Sequence, residues 1–408
     1  MANVITDEKQ VDNFLEKGVA EIFPDKASLK KRMMSGKSMR VYCGFDPSAP
    51  SLHIGNAILI NKLGELQRLG HEVIFLIGDF TGMIGDPTDK TATRKKLTRE
   101  EVLGNAESYI EQASGYLKFD GDNPAVIRHN SEWSDTMTFK DLIEVSSNFT
   151  VQRMIQREMF QKRMEEEKPI YLHEFLYPLA QGYDSVAMDV DMEIGGNDQM
   201  FNMLCGRDLM KVMNKKEKFV LTMKLLADED GKKMGKSEGN AVFLDQSPED
   251  MYGRVMSWSD GVIGVAFELA TPLSLDEVKA AYEQLKDPAV NPRDMKMQLA
   301  YEITKINKGE AAAQKAQEYF IKTVQKKEAP DEVETFEVKE GDKLANVVFN
   351  SGMSVSNGDA RRKIEQGGVE IDGKRVSDPN ARVDESMDGK ILKVGKREFR
   401  KLVMQYLF

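Results

Sequence analysis

The stretch Met39-Arg40-Val41-Tyr42-Cys43-Gly44-Phe45-Asp46-Pro47-Ser48-Ala49-Pro50-Ser51-Leu52-His53-Ile54-Gly55-Asn56 decides how this chain folds. Met39 to Phe45 carries Val41, Tyr42 and Phe45 and reads as a strand. Asp46-Pro47-Ser48-Ala49-Pro50 is dense in turn formers, so the chain turns there. His53 to Leu69 then sets Ile54, Ile58, Leu63 and Leu66 on roughly one side of a helix, which Gly70 closes. The next run, Val73 to Ile77, is apolar throughout. A wholly apolar strand after a helix belongs to a parallel sheet covered on both faces, because parallel neighbours need a crossover helix between them. This is the front of a doubly wound α/β domain. Further on, Asp189 to Ile194 reads as a later strand that ends in Gly195-Gly196-Asn197-Asp198-Gln199, followed by an apolar helix from Met200 to Met213. Ligands in such sheets gather at the carboxyl ends of the strands.

At 408 residues, 41% hydrophobic and 30% charged, the chain has the make-up of a globular protein of two or three domains. No run approaches the ~20 apolar residues of a membrane span, and the first residues lack an export pattern; the expected setting is the cytoplasm. Cys43 and Cys205 form no C-x-x-C pair, which points away from disulfides and cysteine-held zinc and toward two buried small side chains. The net charge of −10 argues against nucleic-acid binding by the whole surface. The charge is unevenly spread: residues 343–408 hold 13 Lys and Arg against 9 Asp and Glu, a surplus of four. Before them, Glu328-Ala329-Pro330-Asp331-Glu332-Val333-Glu334 is acidic and broken by proline, as a linker is. Upstream, Ser274-Leu275-Asp276-Glu277 fits a capping box. Asn291-Pro292 opens a helix whose Met295, Leu299, Ile303 and Ile306 recur every three or four residues. The expected organisation is an α/β domain over 1–245, a helical domain over 246–328, a linker over 329–342 and a basic module over 343–408.

Two separated motifs carry candidate chemistry. His53-Ile54-Gly55-Asn56 opens a helix, where free backbone N–H groups and the macrodipole favour an anion; the histidine can donate to it and Gly55 lets a nucleotide approach. Lys233-Met234-Gly235-Lys236-Ser237 lies in a Gly- and Lys-rich loop that can clamp phosphates. Alone, each is matched by an ordinary capped helix or a solvated lysine turn. Together they describe a divided nucleotide site. Tyr177, Gln181 and Asp184 share one helix face amid Phe175, Leu176, Leu179, Ala180, Tyr183 and Val186. That apolar surround makes a solvated stripe less natural than a pocket wall. Gly195 to Gln199 is by composition a turn; its place after an apolar strand makes Gly196 and Asp198 candidates for contacting a ribose.

In order and spacing, Tyr42 to Pro47, Ser51 to Gly55, Thr81-Gly82-Met83-Ile84-Gly85-Asp86-Pro87, Tyr177 to Asp184, Gly195 to Gln199 and the lysine loop resemble the class I aminoacyl-tRNA synthetases, and among them the bacterial tyrosyl-tRNA synthetases. The resemblance covers nearly the whole chain. It implies a Rossmann-like doubly wound parallel-sheet catalytic domain, an all-α domain near the anticodon stem, and a small α+β S4-like RNA-binding domain. It also implies a two-step reaction. The carboxylate of tyrosine attacks the α-phosphate of ATP, giving tyrosyl-adenylate and pyrophosphate, and a terminal ribose hydroxyl of tRNA(Tyr) then takes the tyrosyl group. Such chemistry needs no protein nucleophile, only alignment and stabilisation of developing charge. By resemblance, His53, Lys233 and Lys236 meet the phosphates, Lys90 and Arg94 assist, and Gly55, Asn56, Gly196, Asp198 and Ser237 complete the ATP site. Tyr42 and Asp184 bond the phenol, while Asp86, Tyr177 and Gln181 hold the ammonium. Gly44 lines the tyrosine site and Gln199 contacts the carboxyl region. In the tail, Asp359 to Ile364 would form a basic helix and Gly367 to Val376 a hairpin, with Arg361, Arg362, Lys363, Lys374 and Arg375 gripping tRNA phosphates. ATP is implied as a substrate with Mg2+, with no metal held by protein ligands. A homodimer is implied as well, its contacts drawn from about Pro124 to Lys168.

Four positions depart from the commonest family pattern. Asn56 stands for a second histidine, Gly235 for a serine and Lys224 for a proline, and Asp79 adds a carboxylate. Asn56 also occurs in tryptophan-specific relatives, which keeps that specificity as an alternative. An adenylyltransferase without RNA would account for the two phosphate motifs but not for the basic tail.

Overall fold

Short segments between residues 19 and 223 assemble into one six-stranded sheet. Its strands are β1 (Val19–Phe23), β2 (Arg40–Phe45), β3 (Glu72–Ile77), β4 (Val126–His129), β5 (Met192–Gly196) and β6 (Phe219–Met223), in the spatial order β1-β6-β5-β2-β3-β4. These strands are those of a computed structural model that describes residues 3–88, 97–227, 241–326, 333–395 and 398–405. The chain divides into two units, Met1–Glu310 and Ala311–Phe408. From β2 the chain moves outward to β3 and β4 on one side, and from β5 to β6 on the other, all in parallel. The order therefore switches between β2 and β5, and a crevice opens there at the carboxyl ends of the strands. Val41, Tyr42 and Cys43 are each at most 1% exposed, as befits a central parallel strand covered on both faces.

One edge departs from the all-parallel expectation, because β1 pairs antiparallel with β6. Ala20 and Glu21 are exposed, so this edge strand carries no alternating signal. The reading of Asp189 as the start of a strand is also corrected. Asp189 is the left-handed cap, φ 47°, of the helix Leu172–Met188, and β5 begins only at Met192. Likewise the helix Met200–Leu209 ends earlier than its apolar run, passing into a π-helical turn at Met210–Asn214.

The helix Ile54–Arg68 buries Ile54, Ile58, Leu63 and Leu66. Gly70 follows it at φ +86°, where a Cβ would stand 2.4 Å from the Asn3 carbonyl oxygen. The first unit also holds the helices Pro248–Met256, Ile263–Ala270, Leu275–Lys286 and Pro292–Lys308. Ser274 and Glu277 form the capping box, and Met295, Leu299 and Ile303 are buried along one stripe. Glu268 ties these helices to the sheet: its carboxylate accepts from the Gly18 N–H at 3.0 Å and from Lys224 Nζ at 2.8 Å. This accounts for Lys224. Its own N–H donates to the Gly18 carbonyl at 2.9 Å, a bond that proline could not make.

The second unit has a five-stranded sheet of β7 (Thr335–Val338), β8 (Val369–Ile371), β9 (Lys374–Val376), β10 (Ile391–Val394) and β11 (Glu398–Met404), ordered β7-β11-β10-β8-β9. The helices Leu344–Asn350 and Asn357–Glu365 close its core around Leu344, Val348, Ile364, Val369, Leu392 and Leu402. Asp372 and Gly373, both at positive φ, make the tight turn of the β8–β9 hairpin.

Candidate active site

A cavity of about 220 Å³ opens at the switch point. The carboxyl ends of β2 and β5 and the helix Leu172–Met188 bound it. Tyr42, Gly44, Asp86, Tyr177, Gln181, Asp184 and Gln199, all the residues expected around tyrosine, line it. The helical spacing of Tyr177, Gln181 and Asp184 thus delivers one wall. Asn56 and Gly196 line it too, whereas His53, Gly55 and Asp198 stand outside its lining. Lys90, Arg94, Lys233, Gly235, Lys236 and Ser237 lie outside the described residues.

At one end Asp184, 3% exposed, accepts from Trp133 Nε1 at 2.9 Å and from Asn130 Nδ2 at 3.4 Å. Burial pushes its carboxyl well above the usual range, and the two donors oppose this. Asp79, the added carboxylate, has a structural task. It accepts from the Ser131 N–H at 2.9 Å and hydroxyl at 2.7 Å, fixing the short helix Ser131–Ser134 that carries Trp133. The Tyr42 hydroxyl lies 2.9 Å from Ser185 Oγ, and Gln181 Nε2 donates to Glu193 Oε1 at 3.0 Å. Burial raises the Tyr42 and Tyr177 phenols well above their ordinary value, so both stay protonated.

At the other end Tyr177 donates to Asp46 Oδ2 at 2.8 Å and Thr81 to Asp46 Oδ1 at 2.6 Å. Asp86 accepts from Gln199 Nε2 at 2.7 Å and from the Thr88 hydroxyl at 2.7 Å. Gln199 also accepts from Asn202 at 3.0 Å, so its amide is engaged on both sides. Asp46, Trp133, Asn130, Ser185 and Glu193 are site residues that the sequence reading missed. Asp46 was hidden by its turn composition. Glu193 left one usable signal, a lone carboxylate inside an apolar strand.

Next to this cavity, the His53 N–H donates to Asn56 Oδ1 at 3.0 Å, so Asn56 caps the helix that the motif opens. A Cβ on Gly55 would stand 2.9 Å from His53 Cε1, which shows how closely the imidazole packs on this glycine. The residues just after the lysine motif return to the same place. Ile54 N–H donates to the Val242 carbonyl at 2.9 Å, Leu244 N–H to the Leu52 carbonyl at 2.8 Å, and His53 faces Phe243. A Cβ on Gly196 would lie 2.5 Å from Asp198 Oδ1, so the carboxylate rests against bare backbone.

In the second unit Arg361, Arg362, Lys374 and Arg375 are exposed. Lys363 is tied into its own domain, to Asp359 at 3.1 Å and to the Met353 carbonyl at 3.0 Å. Among the described residues no group of three or more His, Cys, Asp or Glu is placed to hold a metal ion, and no helix is long and apolar enough to cross a membrane.

Comparison with known proteins agrees with this architecture. Residues 34–325 match the family of tRNA synthetases class I (W and Y), and residues 342–388 match the S4 domain. The chain is 43% identical over 399 residues to the tyrosine–tRNA ligase of Thermotoga maritima, covering 98% of each, and 44% identical over 378 residues to that of Methylococcus capsulatus, covering 92% of this chain and 94% of the other. Among solved structures, a C-terminally truncated mitochondrial tyrosyl-tRNA synthetase of Aspergillus nidulans superposes with a TM-score of 0.65 at 22% identity, covering 76% of this chain and 93% of that one. The tyrosyl-tRNA synthetase of Archaeoglobus fulgidus, solved with L-tyrosine, gives 0.60 at 19%, covering 76% and 100%. Those two likenesses concern the fold. With a family match over most of its length and close relatives end to end, the chain belongs to the class I tRNA synthetases and, within them, to the tyrosine–tRNA ligases.

Proposed function

We infer that the protein joins tyrosine to ATP as tyrosyl-adenylate, releasing pyrophosphate, and then passes the tyrosyl group to the 3′-terminal adenosine of tRNA(Tyr). The observation that carries this reading is the cavity at the switch point, polar at both ends and flanked by a helix N-terminus. Asp184 and Tyr42 receive the phenol. Tyr177, Gln181 and Asp86 receive the ammonium, which leaves the substrate carboxylate directed toward His53 and Gly196. There the helix N-terminus, His53, Lys233 and Lys236 stabilise charge that grows on the phosphates, with Lys90 and Arg94 assisting. Gly55, Asn56, Asp198 and Ser237 hold the nucleotide, and Gln199 keeps Asp86 in place. Mg2+ accompanies the ATP phosphates. The cavity carboxylates Asp46, Asp86, Asp184 and Glu193 are already engaged by Tyr177, Thr81, Gln199, Trp133, Gln181 and Lys218.

The exposed Arg361, Arg362, Lys374 and Arg375 would meet tRNA phosphates, with Lys363 supporting the helix instead. The setting is cytoplasmic, consistent with two free buried cysteines. A homodimer is supported by a patch holding Phe139, Ile143 and Val151, exposed at 78, 54 and 71%, beside an apolar groove of about 290 Å³ lined by Ile84, Met137, Leu142 and Leu176. ATP–pyrophosphate exchange with tyrosine, tryptophan and phenylalanine tests the activity. Exchange that depends on tyrosine alone is expected, and tryptophan-dependent exchange would replace this reading with the tryptophanyl one.

A further inference from the structure

Behind the tyrosine cavity lies a buried ion pair to which the reaction as described gives no task. Lys218 is fully buried and Glu193 is 2% exposed, and Lys218 Nζ bonds Glu193 Oε2 directly. A charged pair so far from water is costly to bury and is weak evidence of a purely stabilising role. Its remaining bonds all lead to pocket residues. Lys218 Nζ donates to Ser185 Oγ at 2.8 Å, Ser185 Oγ lies 2.9 Å from the Tyr42 hydroxyl, and Gln181 Nε2 donates to Glu193 Oε1 at 3.0 Å.

Hydrogen-bond chemistry gives these links a direction. An ammonium can only donate, so Ser185 Oγ accepts from Lys218 and has one proton to give. The Tyr42 oxygen at 2.9 Å is better placed to accept it than Glu193 Oε2 at 3.5 Å. With the serine proton on its oxygen, Tyr42 must turn its own proton elsewhere. The Gln181 backbone carbonyl takes it at 3.5 Å, a long bond that a ligand oxygen can displace. A carboxylate can only accept, so Glu193 fixes the Gln181 amide with nitrogen toward itself and leaves the oxygen to accept from a ligand.

We propose that the buried Lys218–Glu193 pair sets the polarity of the tyrosine pocket, making Tyr42 a donor to the substrate phenol and Gln181 an acceptor for the substrate ammonium. Both are positioning residues. The inference rests on the tyrosine reading of the cavity. Burial pulls the Lys218 ammonium below its ordinary value and Glu193 pulls it back up.

The test uses the full-length protein and two variants. Lys218→Gln/Glu193→Gln removes both charges and keeps the side-chain volumes close. Ser185→Ala leaves the ion pair and cuts its link to Tyr42. Tyrosine binding by calorimetry and pyrophosphate exchange with tyrosine and phenylalanine are the readouts. In the double variant, KM for tyrosine is expected to rise about tenfold with a smaller loss of kcat, and the tyrosine-to-phenylalanine ratio of kcat/KM to fall about tenfold. KM for ATP should stay within twofold, which a general loss of structure would not allow. Ser185→Ala should lower the same ratio about fivefold, and it decides the matter if the double variant does not fold. A ratio within twofold of the parent in the folded variants overturns the proposal while leaving the tyrosine reading intact. No tyrosine binding by the parent protein overturns both.

Discussion

Asp184 joins structural hydrogen bonds to the selectivity proposed for it. Its carboxylate is the acceptor for Trp133 and Asn130 and the polar end of the cavity. Leaving the buried phenol of the substrate without its acceptor costs about 1–3 kcal/mol, or roughly 5- to 150-fold. Asp184→Ala is therefore expected to lower the tyrosine-to-phenylalanine ratio of kcat/KM by that factor; a ratio within twofold of the parent would contradict the assignment. His71 makes a prediction of another kind. It is fully buried, its Nδ1 accepts from the Met39 N–H at 3.3 Å, and its pKa falls to about 4, chiefly from burial, with Arg32 lowering it further and Asp191 opposing. The unfolded chain binds this proton near pH 6.5 and the folded chain only near pH 4, so the contribution is complete above about pH 6.5 and declines as pH falls toward 4. The loss is bounded at about 3 kcal/mol. Urea unfolding across that window should show a steeper fall for the parent than for His71→Gln, by up to about one proton.

At the scale of elements, Arg163 joins the helix Glu158–Glu165 to the start of Leu172–Met188. It is 1% exposed and pairs with Glu174 through bonds of 2.7 and 2.9 Å, while Glu174 also accepts from the Tyr171 N–H at 2.8 Å. Removing one partner strands the other charge in the interior. Arg163→Met is expected to cost about 3–5 kcal/mol, most of which Arg163→Met/Glu174→Gln should restore. Equal urea midpoints for the two variants would sink this account. The consequence reaches the site because Leu172–Met188 carries Tyr177, Gln181 and Asp184. A strained N-terminal turn would misplace the wall that they form.

For the whole molecule, the question is how the apolar face around Phe139, Val151 and Leu172, exposed at 78, 71 and 80%, is covered. Scattered apolar residues need no explanation, but a residue as exposed as Phe139 that also lines an apolar groove does. The homodimer proposed above would bury this surface in a second copy. Phe139→Glu is expected to shift the protein from dimer to monomer in sedimentation velocity at micromolar concentration, without changing the cavity, which Tyr177, Gln181 and Asp184 line from the helix whose Leu176, Leu179 and Tyr183 line the groove. A parent protein that sediments as a monomer would remove the basis for this prediction.

The division between sequence and tertiary structure follows the range of the interactions. Local periodicity was enough for β2, the helix Ile54–Arg68 and β3, because the apolar residues that pack them are strand or helix neighbours. It was also enough for the line of Tyr177, Gln181 and Asp184, since helix geometry alone puts them on one face. The same logic could not see β1, half exposed at a sheet edge, or the late start of β5, at Met192 instead of Asp189. Nor could it see the partners that give the cavity its chemistry. Trp133 meets Asp184 across 51 positions, Asp46 meets Tyr177 across 131, and Lys218 meets Glu193 across 25. By itself the sequence determined the doubly wound class and, through the family resemblance, Tyr42, Gly44, Asp86, Tyr177, Gln181, Asp184 and Gln199 of the cavity lining. Only the tertiary structure decided which of their atoms donate and which accept, because hydrogen-bond direction depends on buried neighbours that chain order does not reveal.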